Sequence, residues 1–374
     1  MKAALLATAV LLFSVGCLHS EEEGNGGNGQ AAAQGGGEEG AGGEEGSVLD
    51  RVQERGQLVC GVNDAVPGFG VATEAGEYQG FDIEFCRVVA AAVLGDADAV
   101  EFRPLTAEQR FTALQGDEID VLIRNTTRSA SRDGGEGARF VTTTYYDGQA
   151  MMVNADSDFE RLEDMDGTTI CVLSGTTTEL NLETIFRSRG IEYEPLSFEE
   201  TDPLQEAFIG GRCDGWTSDR SQLAGFRAQW PQQQGGPDAV RILDEIMSKE
   251  PLGPAVRDGD PQWADAVDWA VIATLQAEEF GINQGNLEQM LQSENPDILR
   301  FLGQPVEAEE GAAPAPFDPG LGLEPDFAAT IVREVGNYGE IFNRNIGPNS
   351  PLELERGLNA LWTDGGLHYP PPYR

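Results

Sequence analysis

Lysine is almost missing from this 374-residue chain: Lys2 and Lys249 are its two copies, and arginine carries the rest of the positive charge. Basic residues number 24 against 64 acidic ones, a formal net charge of −40. Such a carboxylate excess repels nucleic-acid phosphates and anionic lipid surfaces, which disfavours both as partners of the folded body. It resembles the surfaces of proteins from salt-loving organisms, where high ionic strength screens the self-repulsion. Histidine is equally scarce. His19 falls in a low-complexity stretch and His368 near the C-terminus, so no histidine is paired with a serine or cysteine as a catalytic couple. The five cysteines contain no closely spaced pair, which argues against a zinc site; no metal or cofactor is expected. Beyond the first residues no apolar run is long enough to span a bilayer.

What is present begins with an export signal. Met1-Lys2 is a minimal positive region, and residues 3–13 form a short apolar stretch. Ser14-Val15-Gly16-Cys17 then sets small residues before a cysteine, the pattern of a bacterial lipoprotein signal over residues 1–17, with Cys17 lipidated. The bland alternative is an ordinary cleaved signal with an incidental Cys17. Residues 18–47 follow as a disordered tether, rich in Gly, Ala, Gln, Asn and Glu, with too little apolar surface to offset ordering entropy. The lipid anchor is then the one expected membrane contact, and the location exported: periplasmic or cell-surface.

The remaining length exceeds one ordinary core and suggests two lobes. Strand Leu58–Val62, helix Phe81–Leu94, strand 100–105, helix 107–114 and strand 121–123 alternate as in a mostly parallel sheet flanked by helices. The order restarts with strands 150–153 and 169–173, helix 177–188, strand Tyr193–Phe198, helix 203–209 and strand 214–217. Two segments, 144–148 and 247–251, read as crossings. They place lobe 1 at 48–145 and 251–374, and lobe 2 at 146–250. The last third reads as helical over 262–278, 326–335 and 350–362, with a Pro/Gly-rich surface loop at 304–325. With Cys17 set aside, four cysteines allow three pairings; the lobe division favours Cys60–Cys86 and Cys171–Cys213.

Three polar segments follow apolar runs at the strand ends: Asn125-Thr126-Thr127 with Arg132, Ser174-Gly175-Thr176-Thr177, and Ser218-Asp219. In open α/β sheets ligands settle there, beside helix N-termini. One guanidinium, one carboxylate, hydroxyls and free amides are what a zwitterion needs. Each also has an ordinary role: Thr176, Thr177 and Asp219 suit helix capping, and Arg132, on a polar turn, suits the surface. Phe69 suits core packing as well as ligand stacking, and Arg124 is read as a surface residue.

The segments CGVNDAVPGF, GFDIEFCRVVAAAV, LTAEQRFTALQGDEIDVLIRNTT, YYDGQ, SGTTTELNL, GRCDGWTSD, SKEPLGPAVR and VGNYGEIFNRN closely resemble the general L-amino-acid-binding proteins of ABC uptake systems. These are extracellular solute-binding proteins of family 3. The resemblance runs from about residue 48 to the end. It implies a two-lobed periplasmic-binding-protein type II fold, with a two-segment hinge and no catalysis. It further implies that Arg132 grips a ligand α-carboxylate, assisted by Asn125, Thr127 and the amide of Thr177. Asp219 receives the α-ammonium, and Phe69 and Asn63 touch the ligand side chain. The implied partners are L-amino acids and the membrane subunits of an ABC permease, with the protein acting as a monomer. Two rivals remain: an amino-acid sensor for a signalling receptor, and a lyase or dehydratase on the same fold using Asp219 or a glutamate as acid or base.

Overall fold

The computed structural model describes residues 46–306 and 314–374. Cys17 and all but the last two residues of the tether lie outside them. Ser47, expected at the tether's end, belongs to the folded body. It caps helix Val48–Arg55, its Oγ accepting from the Leu49 amide, and that hydroxyl also reaches the Asp260 carboxylate at 3.2 Å.

Two five-stranded sheets dominate. In the first, Leu58–Val62 lies between Val100–Pro104 and Val121–Leu122, parallel to both. Ala255–Arg257, arriving from far along the chain, then pairs antiparallel with Val121–Leu122 and Ala138–Phe140. In the second, Thr168–Leu173 is parallel to Tyr193–Phe198 and Gly215–Asp219, and Gln149–Asn154 and Val240–Ile242 complete it in antiparallel sense. Each parallel pair is joined through a helix, as right-handed crossovers require.

Apolar faces explain the layering. Helix Phe81–Leu94 is buried along nearly its whole length, and helix Pro261–Glu279 likewise buries most of its residues, from Trp263 to Ala277. These two pack on each other and on helix Phe327–Glu334, and Phe81–Leu94 also packs on the first sheet. Disulfides fasten each sheet to its surroundings. Cys60 in the strand joins Cys86 in the helix, Cα atoms 6.1 Å apart, and Cys171 in the strand joins Cys213, Cα atoms 5.6 Å apart. Both pairings are the ones expected, and each joins a strand of one sheet to a segment packed beside that sheet.

The sheets are linked by a two-stranded ladder in which Tyr145–Asp147 runs antiparallel to Glu250–Leu252. These are the two segments read as crossings. The C-terminal segment departs from expectation. Residues 350–362 form turns and the short 3-10 piece Gly357–Asn359 instead of a helix. Pro351 interrupts the amide ladder and Gly357 adopts φ +49°. Their leucines mimic helical spacing, but Asn359 is spent on the ladder: its Oδ1 accepts from the Tyr146 amide at 2.7 Å and its Nδ2 donates to the Tyr146 carbonyl at 3.1 Å.

Candidate ligand-binding site

The carboxyl ends of both parallel sheets face one another, and the three polar segments meet there. A cavity of about 30 Å³ is lined by Asn63, Asn125, Thr127, Arg132, Thr177 and Asp219 among others. That exceeds the ~10–15 Å³ one water needs and is far below the ~300 Å³ of an open ligand pocket. The cleft is therefore shut. Two polar contacts cross it: the Thr177 and Thr127 hydroxyl oxygens lie 3.3 Å apart, and Arg110 Nη2 donates to the Gly175 carbonyl at 3.1 Å.

From the first sheet, the chain leaves strand Val121–Leu122 and turns at Asn125, which holds φ +41°. Its amide donates to Asp82 Oδ2 at 2.7 Å, and its Oδ1 accepts from Asn63 Nδ2 at 2.6 Å. Asn125 Nδ2 is buried without a partner among the described residues. Arg132 sits in the short helix Ala130–Gly135, not on a turn, with Ser129 as its cap. It is only 8% exposed, its Nη1 donates to the Thr127 carbonyl at 2.9 Å, and its guanidinium lies 5.4 Å from the Phe111 ring centre. Surface placement is thus overturned: the aromatic face and the carbonyl fix the fork inside the cleft.

From the second sheet, Thr176 performs the capping of helix Thr177–Arg189, its Oγ1 accepting from the Glu179 amide at 3.1 Å. Thr177 is thereby released for other work, and its hydroxyl donates to Glu250 Oε2 at 2.8 Å. Asp219 occupies the cap position of helix Arg220–Ala228 yet makes no capping bond. Its Oδ2 accepts from Gln222 Nε2 at 2.7 Å, while its buried Oδ1 has no partner among the described residues. A carboxylate oxygen held dry and unpaired is costly unless something else binds it.

Burial sets the electrostatics. Asp219 is pushed well above the usual carboxylate range, first by desolvation and then by Asp147 and Glu250 nearby. Asp147 rises to about 6, mainly through burial, against the lowering effect of its hydrogen bond from Ser221. Asp82 rises to about 7 for the same leading reason. Burial also lowers Arg132, opposed by the attraction of Glu250 and Asp219.

One expected residue falls elsewhere. Phe69 is fully buried and packs edge-on against Phe81 and Tyr145, ring centres 5.8 and 5.5 Å away. It belongs to the aromatic core and is not part of the cavity wall, because the hairpin that carries it folds onto helix Phe81–Leu94. Val66 lines the cavity instead.

Others went unread. Arg124, assigned to the surface, lines the cavity and donates through Nε to the Leu105 carbonyl at 2.6 Å. Arg110 lines it too, 2% exposed. Gln222, three residues after Asp219, positions its carboxylate. Glu250 is 1% exposed and accepts from Thr177 and from Asn181 Nδ2 at 2.8 Å. A helical i, i+3 relation was the available signal for Gln222; for the arginines, the signal was their adjacency to apolar runs.

Two α/β lobes, a paired-strand connection and opposite charges converging on one shut cleft define a solute-binding protein of the periplasmic-binding-protein type II fold. Residues 58–281 match the bacterial extracellular solute-binding proteins, family 3, and the chain belongs to that family. It is 47% identical over 335 residues to the general L-amino acid-binding periplasmic protein of Rhizobium johnstonii, covering 90% of this chain and 95% of that one. Identity is also 47% to the glutamate/glutamine/aspartate/asparagine-binding protein of Rhodobacter capsulatus, covering 89% and 95%. Among solved structures, a periplasmic binding protein of an ABC transporter from Brucella ovis with glutathione bound superposes with a TM-score of 0.82. It is 47% identical and covers 88% of this chain and all of that one. These relatives are binding proteins, and the two curated ones bind amino acids by name. No helix among the described residues is long and apolar enough to cross a membrane.

Proposed function

We propose that this protein is the extracytoplasmic amino-acid receptor of an ABC importer. It holds L-amino acids by their α-carboxylate and α-ammonium groups and delivers them to a membrane permease when the lobes close. The observation that carries this is the placement of Arg132, from one lobe, and Asp219, from the other, around one small cavity. A bidentate guanidinium orients a carboxylate, with Asn125 Nδ2, the Thr127 hydroxyl and the Thr177 amide as further donors. The unpaired Oδ1 of Asp219 takes the ammonium. Asn63 and Val66 border the ligand side chain.

Because the gripping groups come from both lobes, ligand favours the closed form over the open one. The ladder of Tyr145–Asp147 and Glu250–Leu252 is the hinge, dividing lobe 1 (48–145 and 251–374) from lobe 2 (146–250). Cys17 supplies a lipid anchor, the acidic tether lets the body reach the permease, and a single copy suffices. The relatives' binding roles support a non-catalytic reading. A thermal-shift screen against the common L-amino acids tests it: stabilisation in the wild type that is absent in Arg132→Met is expected. No stabilisation by any amino acid would refute it.

A further inference from the structure

Arg110, Arg124 and Arg132 all border the small cavity. Arg51, Arg344 and Arg356 make ion pairs elsewhere in the protein. Among the described residues, however, none of the three cavity arginines has a carboxylate within salt-bridge distance. Arg110 and Arg132 are 2% and 8% exposed and Arg124 is half-buried, and guanidinium groups withdrawn from water without a counter-ion are expensive to keep. A zwitterion adds no net charge, so an α-carboxylate on Arg132 and an α-ammonium on Asp219 leave Arg110 and Arg124 uncompensated.

Arg110 Nε is moreover a buried donor without a partner among the described residues. Burial and the two neighbouring arginines push Arg110 well below the usual guanidinium range, and burial lowers Arg124 to about 10. Asp64 and Asp82 attract Arg124, but Asp82 is committed to the Asn125 amide, and its raised pKa leaves it partly protonated near neutrality. Arg124 also borders a second, roomier cavity of about 360 Å³ that shares Asn63 with the first and reaches Glu199 and Glu200 on the other lobe. Arg124 thus stands at the border of both cavities, whereas Glu199 and Glu200 line only the second, where they repel an anion.

We infer that Arg124, aided by Arg110, forms a second anion-binding point that selects L-amino acids carrying a side-chain carboxylate. This rests on the amino-acid reading of the same cavity. Arg124 acts as the specificity-determining residue, whereas Arg132 serves every ligand alike.

Calorimetric titration of the purified protein with L-glutamate, L-glutamine and L-alanine, at matched ionic strength, is the test. Wild-type protein is expected to bind glutamate about tenfold or more tightly than alanine, and more tightly than glutamine. Arg124→Met is expected to remove most of that advantage while changing alanine affinity less than about threefold; Arg124→Lys, which keeps the charge, is expected to retain part of it. Equal loss for glutamate and alanine in Arg124→Met overturns the inference, as does a wild type that prefers glutamine or alanine to glutamate. Either result leaves the amino-acid reading intact, and that reading falls only if none of the three binds. The wild-type ranking decides the matter even if the methionine variant does not fold.

Discussion

Thr177 Oγ1 on one lobe lies 3.3 Å from Thr127 Oγ1 on the other, and the carbonyl of that same Thr127 receives Arg132 Nη1 at 2.9 Å. The contact across the cleft and the seat of the Arg132 guanidinium therefore share a residue. Glu250 in the hinge ladder accepts from Thr177 as well, which ties the hinge to the helix that presents its amides to the cavity.

Arg132→Met removes the fork while keeping its apolar bulk against Phe111. A ligand carboxylate is then buried without its partner, and affinity is expected to fall by about 2–5 kcal/mol, for acidic and neutral amino acids together. Calorimetry with alanine and glutamate checks it, and unchanged affinity removes Arg132 from the account.

Binding is expected to be linked to protons. Burial in the shut cleft pushes Asp219 well above the usual carboxylate range, so an ammonium that binds its ionised form competes there with a proton. Affinity then falls as pH is lowered, by up to about tenfold per unit below the Asp219 pKa. Titrations in buffers of different ionisation enthalpy are expected to show proton release. Buffer-independent heats would contradict the Asp219 assignment, and Asp219→Asn is expected to abolish the release.

Gly225, in the helix after Asp219, lies where an added Cβ would stand 2.6 Å from the Pro67 carbonyl oxygen of the opposite lobe. Backbone gives little, so Gly225→Leu acts as a wedge. It is expected to weaken amino-acid binding at least tenfold through lost closure, although residue 225 is outside the cavity wall. Small-angle scattering with saturating ligand checks the mechanism: the variant stays expanded where the wild type compacts.

Stability is expected to fall as pH rises from about 4 to 7. Asp82 has a folded-state pKa of about 7 against 3.8, so in this window the folded protein keeps a proton that the unfolded chain has lost, and the folded form is progressively penalised. The cost reaches on the order of 3 kcal/mol by neutral pH. Asp82→Asn still offers an acceptor to the Asn125 amide and removes that titration. Urea midpoints at pH 5 and 8 are expected to differ more in the wild type than in the variant.

The sequence made the βα alternation, the two crossings and the strand-end polar segments legible, because each depends on local pattern and on the rule that sites gather at carboxyl edges. The fate of single side chains was harder to read. Phe69 sits in a turn, yet the aromatic cluster around Phe81 draws it inward. Arg124 looked like a surface residue because arginine usually is, and Arg110 gave no signal beyond its place in an apolar run. Strand Ala255–Arg257 was missed because three residues show no period, and residues 350–362 misled because leucine spacing outweighed Pro351 and Gly357.

The central claim is that one ligand is held at both ends by opposite lobes. A crystal structure with L-glutamate bound tests it most directly. The account predicts the α-carboxylate on the Arg132 guanidinium and the α-ammonium within hydrogen-bond distance of Asp219 Oδ1. It is contradicted if the amino acid occupies another site, or lies in this cavity with its ammonium away from Asp219.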